Sequence, residues 1–89
     1  MTVRYEYSAE AGKEALKREH PRGYDLVRAI ERDLSADPIT RASLIQAPNM
    51  YLQIFTPETT PPVEIKVVYR ISSGDPPQVL ITKIQAKRL

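Results

Sequence analysis

Val63–Ile71 is the stretch that most limits what this chain can fold into. It reads Val-Glu-Ile-Lys-Val-Val-Tyr-Arg-Ile, so Val63, Ile65, Val67, Tyr69 and Ile71 alternate with Glu64, Lys66, Val68 and Arg70. Period two with one apolar side defines a half-buried strand. One face rests on a core. The other meets water or a partner, and it carries Lys66 and Arg70. The rest of the chain must cover the apolar face and frame the polar one.

The preceding residues supply the cover. Thr2–Tyr7 alternates, with Val3, Tyr5 and Tyr7 on one side, and predicts a first strand. Ser8 is placed to cap a helix, because its oxygen can accept an orphan backbone N–H. That helix is predicted over residues 9–19, with Ala11, Ala15 and Leu16 as a narrow apolar stripe. His20-Pro21-Arg22-Gly23 breaks it. A second helix is predicted over residues 24–35, where Leu26, Val27, Ile30 and Leu34 fall at helical spacing. Asp37-Pro38 stops it. Two helices with a short breaker form a helical hairpin.

Residues 38–50 show no clear period and read as a loop, with room for a turn of helix near residues 41–45. Tyr51–Thr56 is strand-like, and both of its sides are fairly apolar. The pattern leaves its facing open: either Tyr51, Gln53 and Phe55 turn toward the helices, with Leu52 and Ile54 on the face of Lys66 and Arg70, or the reverse. A one-residue change of register exchanges the two. Pro57, Pro61 and Pro62 make residues 56–62 a loop, since proline cannot join a central ladder. Residues 72–78 form a second turn around Gly74, and residues 79–85 a last strand. The element order is β-α-α-β-β-β. It predicts an α+β fold in one domain spanning residues 1–89, with a twisted antiparallel sheet and an N-terminal helical hairpin on one face.

Composition narrows the chemistry. There are no cysteines, which removes disulfides, thiol catalysis and Cys-based zinc sites and fits a reducing cytoplasm. His20 is the single histidine and leaves little for a metal centre. No stretch reaches the ~18 apolar residues needed to span a bilayer, and the first residues carry charges where a signal peptide needs an apolar run. No membrane association and no cofactor are expected. The net charge is +2, but residues 65–89 hold Lys66, Arg70, Lys83, Lys87 and Arg88 against Asp75 alone. That third carries +4 and the remainder −2. A basic C-terminal third is a footprint for an anion such as RNA, although ordinary surface solvation produces the same composition.

The chain resembles the RelE/ParE superfamily of bacterial toxins. The resemblance runs through Tyr5-Glu6-Tyr7-Ser8-Ala9-Glu10-Ala11, Ala29-Ile30 with Leu34 and Asp37-Pro38, Lys66-Val67-Val68-Tyr69 and Val79-Leu80-Ile81. It implies the toxin of a type II toxin–antitoxin pair, cytoplasmic, with an antitoxin protein as partner. RelE-like members resemble metal-independent endoribonucleases that cut mRNA on the ribosome. ParE-like members resemble non-catalytic gyrase poisons. A degenerate toxin-like domain used only for protein association is a further alternative, and a second copy of the chain is another partner.

Cleavage of the RelE type uses the ribose 2′-hydroxyl as nucleophile. It needs a base at that hydroxyl, cations at the phosphate and an acid at the leaving oxygen. The resemblance implies catalytic roles for Lys66, at the strand arginine of the family's Arg-x-x-Tyr motif, and for Arg88, near another arginine after the last strand. Arg70, Lys83 and Lys87 are the implied substrate-binding cations. This chain departs from the pattern at Lys66, which lacks arginine's bidentate fork. With the facing that the resemblance implies, Tyr51, Gln53 and Phe55 turn toward the helices, and Leu52 and Ile54 share the face of Lys66 and Arg70 and stand where RelE-like members carry lysines; residues 79–89 contain no counterpart of the C-terminal aromatic. Glu64 lies on the polar face as a candidate base, although Glu64 beside Lys66 is also ordinary surface charge. The exposed apolar pair Leu52 and Ile54 points equally to association.

Overall fold

Strand, helix, helix and four further strands follow one another along the chain. They are β1 (Thr2–Tyr5), α1 (Tyr7–Glu19), α2 (Gly23–Ala36), β2 (Ser43–Gln46), β3 (Met50–Phe55), β4 (Val63–Ile71) and β5 (Gln78–Arg88). The structure is a computed structural model describing residues Met1–Leu89. The strands form one sheet in the order β1-β5-β4-β3-β2.

The organising strand behaves as its alternation dictates. Val63, Ile65, Val67 and Tyr69 are buried, while Lys66 is exposed and Glu64, Val68 and Arg70 are half-buried. Ala9, Leu16, Leu26, Val27, Ile30 and Leu34 of the two helices join them in one core with Val79, Ile81 and Ile84 of β5. Both helices therefore cover the same sheet face. Burying each of the valine, leucine and isoleucine side chains among them is worth ~1.5–3 kcal/mol. Two glycines allow the close approach. A Cβ at Gly12 would collide with the Ile84 carbonyl oxygen of β5, and one at Gly23 with the Leu16 carbonyl oxygen of α1.

The facing of β3, open in its pattern, is the one that the resemblance implies. Gln53 is only 6 % exposed on the helical side, whereas Ile54 is 48 % exposed on the other. Gln53 is admitted to the core because Tyr69 is there. The Tyr69 hydroxyl donates to the Pro38 carbonyl at 2.6 Å, and the Gln53 amide lies 3.3 Å from the same oxygen. One hydroxyl carries one proton, so the amide completes the network by presenting its NH2 to Tyr69 Oη. Tyr51 stacks on Tyr69 with ring centroids 6.0 Å apart.

Three expectations are corrected. The sheet is mixed, because β1 runs parallel to β5 while the other pairs are antiparallel. Tight turns force neighbouring strands to run antiparallel, but β1 is joined to β5 through the whole intervening chain and escapes that constraint. Next, β1 ends at Tyr5 and the helix begins at Tyr7, so Tyr7 is 93 % exposed instead of facing the core. Glu6 takes the N-cap position, with its backbone N–H donating to Ile81 O, and Ser8 inside the helix donates its hydroxyl to Thr82 O. Docking of α1 on β5 sets this start and overrides the local cap signal. Finally, residues 43–46 form a fifth strand where a loop was expected. All four residues of β2 are exposed, so no alternation of polarity marks it.

β5 also runs to Arg88, three residues past its expected end. It contains an irregularity: Val68 of β4 pairs with Lys83 while Tyr69 pairs with Ile81, leaving Thr82 as an extra residue. A β-bulge of this kind reverses the side-chain phase of everything beyond it. Val79 and Ile81 point into the core before the bulge, and Ile84 does so after it.

Candidate functional site

The helices cover one sheet face, and the other is open. On β4 this open face displays Glu64, Lys66, Val68 and Arg70, which alternate with the buried residues. The antiparallel register places Ile54 of β3 and Gln85 of β5 opposite Lys66. It places Leu52 and Lys83 opposite Val68, and Lys87 opposite Glu64. Directly opposed side chains have Cβ atoms ~4.5–5.5 Å apart. The face is thus an apolar lane on β3 beside cationic lanes on β4 and β5.

The bulge at Thr82 builds the β5 lane. Unbroken alternation from Val79 would send Lys83, Gln85 and Lys87 toward the helices. The extra residue turns all three outward and Ile84 inward. The bulge is held from two sides, because Thr82 Oγ1 donates to Val68 O at 3.2 Å and Ser8 Oγ donates to Thr82 O at 3.1 Å.

The sequence-predicted cations divide between the faces. Lys66, Arg70, Lys83 and Lys87 share the open face. Arg88 does not, which corrects its expected partnership with Lys66. It pairs with Val63, a core-facing position, and lines a cavity of about 220 Å³ with Leu16, Glu19, His20, Val63 and Ala86. The phase change at Thr82 is the cause. Arg70 differs from the lysines in another way. Its guanidinium is 2.9 Å from the Glu6 carboxylate, in an ion pair that ties the open face to the start of α1. Lys66, Lys83 and Lys87 are in no ion pair. Glu64, Lys66, Gln85, Ala86 and Lys87 surround a shallow cavity of about 260 Å³.

Other polar groups serve the scaffold. His20 accepts the Arg22 N–H at Nδ1, at 3.0 Å, so its proton lies on Nε2 and is donated to Pro61 O at 3.2 Å. The Tyr5 hydroxyl donates to Glu31 at 2.7 Å, and burial first, with Glu31 second, holds it protonated well above the ordinary tyrosine range. The Asp37 carboxylate accepts the Ile39 and Thr40 N–H groups, both at 3.1 Å. Hydrogen bonding to Thr40, first among its causes, lowers its pKa below the ordinary aspartate value.

A second concavity lies on the helical side. Leu26, Ile30, Phe55 and Ile65 line a groove of about 310 Å³ between α2 and β3, with Arg41 and Asp33 at its rim. It adjoins a groove of about 460 Å³ lined by Arg22, Arg28 and Arg32 beneath residues 57–59. The β2 ladder stops at the Ser43–Leu52 pair, so the outer backbone edge of β3 beside this groove has no strand partner from Gln53 onward. Sequence reading missed this groove, whose residues come from separated segments and whose edge depends on the unanticipated β2. No helix is long and apolar enough to cross a membrane.

This arrangement of mixed sheet and helical hairpin is a RelE-like fold. A chain in the crystal structure of the toxin–antitoxin complex RelBE2 from Mycobacterium tuberculosis has the same architecture, with a TM-score of 0.70 and 20% identity. The match covers 97% of this chain and 96% of that one. No family model and no curated protein sequence matches the chain.

Proposed function

We propose that this chain is the toxin of a bacterial toxin–antitoxin pair, and that its open sheet face acts on mRNA at the ribosome as a metal-independent endoribonuclease. The observation that carries this reading is the set of unpaired lysines on one uncovered face of a RelE-like fold. Lys66, Lys83 and Lys87 are each exposed, on adjoining strands. Cations preorganised around a phosphate stabilise the charge that builds at phosphorus during attack by a 2′ oxygen. Lys66 is the central phosphate cation in this reading, with Lys83 and Lys87 extending the strand-side contact. The partner is an antitoxin, and the α2–β3 groove offers it an apolar floor and free backbone groups.

Primer extension on mRNA from cells induced for the chain tests the activity. Discrete cleavage and growth arrest are expected, both relieved by a partner reading frame adjoining this one. Lys66→Ala should lower cleavage by ~10²–10³-fold, the usual cost of losing one transition-state charge partner. Uncut mRNA after arrest would reject the nuclease.

The apolar lane favours a second reading. Ile54 stands opposite Lys66 and is 48 % exposed, with half-buried Leu52 beside it. An exposed apolar lane suits protein association, as in a gyrase-binding toxin or an interaction module. In that case purified chain inhibits gyrase supercoiling, or binds a protein partner, and leaves translated mRNA intact.

A further inference from the structure

A face that cleaves RNA must remove a proton from the 2′-hydroxyl, and the apolar lane cannot. Leu52 and Ile54 hold no titratable group, and the only ionisable side chain of β3, Tyr51, stacks on the core side against Tyr69. One acidic side chain does stand among the free lysines. Glu64 is half-buried on the open face, with Lys87 directly opposite on β5 and Lys66 two residues along its own strand. Two residues of strand cover roughly 6.5 Å. Glu64 is in no ion pair with either lysine. The three side chains, with Gln85, line the same cavity of about 260 Å³.

We propose that Glu64 is the general base of this site, acting on the 2′-hydroxyl of a ribose whose phosphate rests between Lys66 and Lys87. The proposal rests on the nuclease reading above and assigns the residue which that reading lacks. A bridging position between two ammonium groups puts the carboxylate beside the sugar while the cations hold the phosphoryl oxygens. The 2′ O–H bond breaks and its proton goes to the Glu64 carboxylate. The freed oxygen forms a bond to phosphorus, the P–O5′ bond breaks, and the departing electron pair on the 5′ oxygen takes a proton from water. The products are a 2′,3′-cyclic phosphate and a 5′-hydroxyl end, and Glu64 returns its proton to water. The charged groups facing Glu64 are Lys66 along β4 and Lys87 on β5, while β3 contributes only apolar Ile54 opposite Lys66.

The test is single-turnover cleavage of a defined mRNA on programmed ribosomes, across a range of pH, by the full chain and by Glu64→Gln. The wild-type rate should fall toward acid as the carboxylate is protonated. Glu64→Gln should cleave ~10²–10⁴-fold more slowly and lose that acidic limb, with mRNA–ribosome binding and thermal stability unchanged. Because Glu64 sits outside the core, the variant folds. Cleavage by Glu64→Gln at the wild-type rate overturns the assignment and leaves the nuclease reading standing. A slower variant that keeps the acidic limb also overturns it, since Glu64 would then only position. Absence of cleavage by the wild type overturns the nuclease reading and the base together.

Discussion

Tyr69 shows how much a single hydroxyl can organise. It is fully buried, donates to Pro38 O and receives the Gln53 amide, so it joins β4 to β3 and to the end of α2. Tyr69→Phe removes a small group but strands a buried carbonyl and a buried amide, a cost of ~1–3 kcal/mol. Burial, then the neighbouring Tyr51 and Asp37, push the Tyr69 hydroxyl up to about 12 from its ordinary value of 10.0. The folded protein therefore holds this proton more tightly than the unfolded chain. Its contribution is fully present below pH ~10 and is lost as pH rises through about 12, a fall of roughly 2–3 kcal/mol. Denaturant unfolding at successive pH values should show this alkaline loss. Tyr69→Phe should lessen it without removing it, because burial and Glu31 also hold the Tyr5 proton.

At the scale of the element, the β5 bulge decides which cations reach the open face. Lys87 faces the open side and Arg88 the helical side, although they are neighbours in sequence. Lys87→Ala should lower RNA cleavage by ~10-fold or more through loss of a charge-assisted phosphate contact. Arg88→Ala should leave the rate within about twofold and act, if at all, on stability, since an exposed side chain off the site typically contributes ~0.5 kcal/mol or less. Equal loss from both substitutions would mean that Arg88 reaches the open face despite the register. Much of this was legible beforehand. The alternation of β4 and the helical spacing from Leu26 to Leu34 follow from periodicity alone, whereas β3, apolar on both sides, shows its facing only through the resemblance. The bulge leaves its mark in the three-residue step from Ile81 to Ile84, which breaks the two-residue step from Val79 to Ile81. β2 and the Glu6–Arg70 ion pair could not be read. The first buries no face, and the second joins residues far apart in sequence whose meeting depends on β1 lying beside β5.

For the whole molecule, the uneven charge matters more than the sum. The net charge is only +2, yet Arg4, Lys66, Lys83 and Lys87 lie on the open face outside any ion pair, with Glu64 among them. Arg70 is the exception, because Glu6 occupies its guanidinium. If this face binds single-stranded RNA, as proposed, binding releases counterions in proportion to the phosphates engaged, about 0.7 per contact. If each free cation makes one contact, the slope of log K against log salt should be roughly −3 for a short labelled RNA followed by fluorescence anisotropy. Lys66→Ala should make it shallower by about 0.7. Glu6→Gln should do the opposite. It releases Arg70 toward the ligand, steepens the slope by about 0.7 and tightens binding at low salt, while costing at most ~1 kcal/mol of stability because the pair is partly solvent-exposed. An unchanged slope in Glu6→Gln would show that Arg70 takes no part in binding even when free. A slope near zero in the wild type would show that the open face does not hold RNA through its cations, and would turn attention to the apolar lane and the α2–β3 groove.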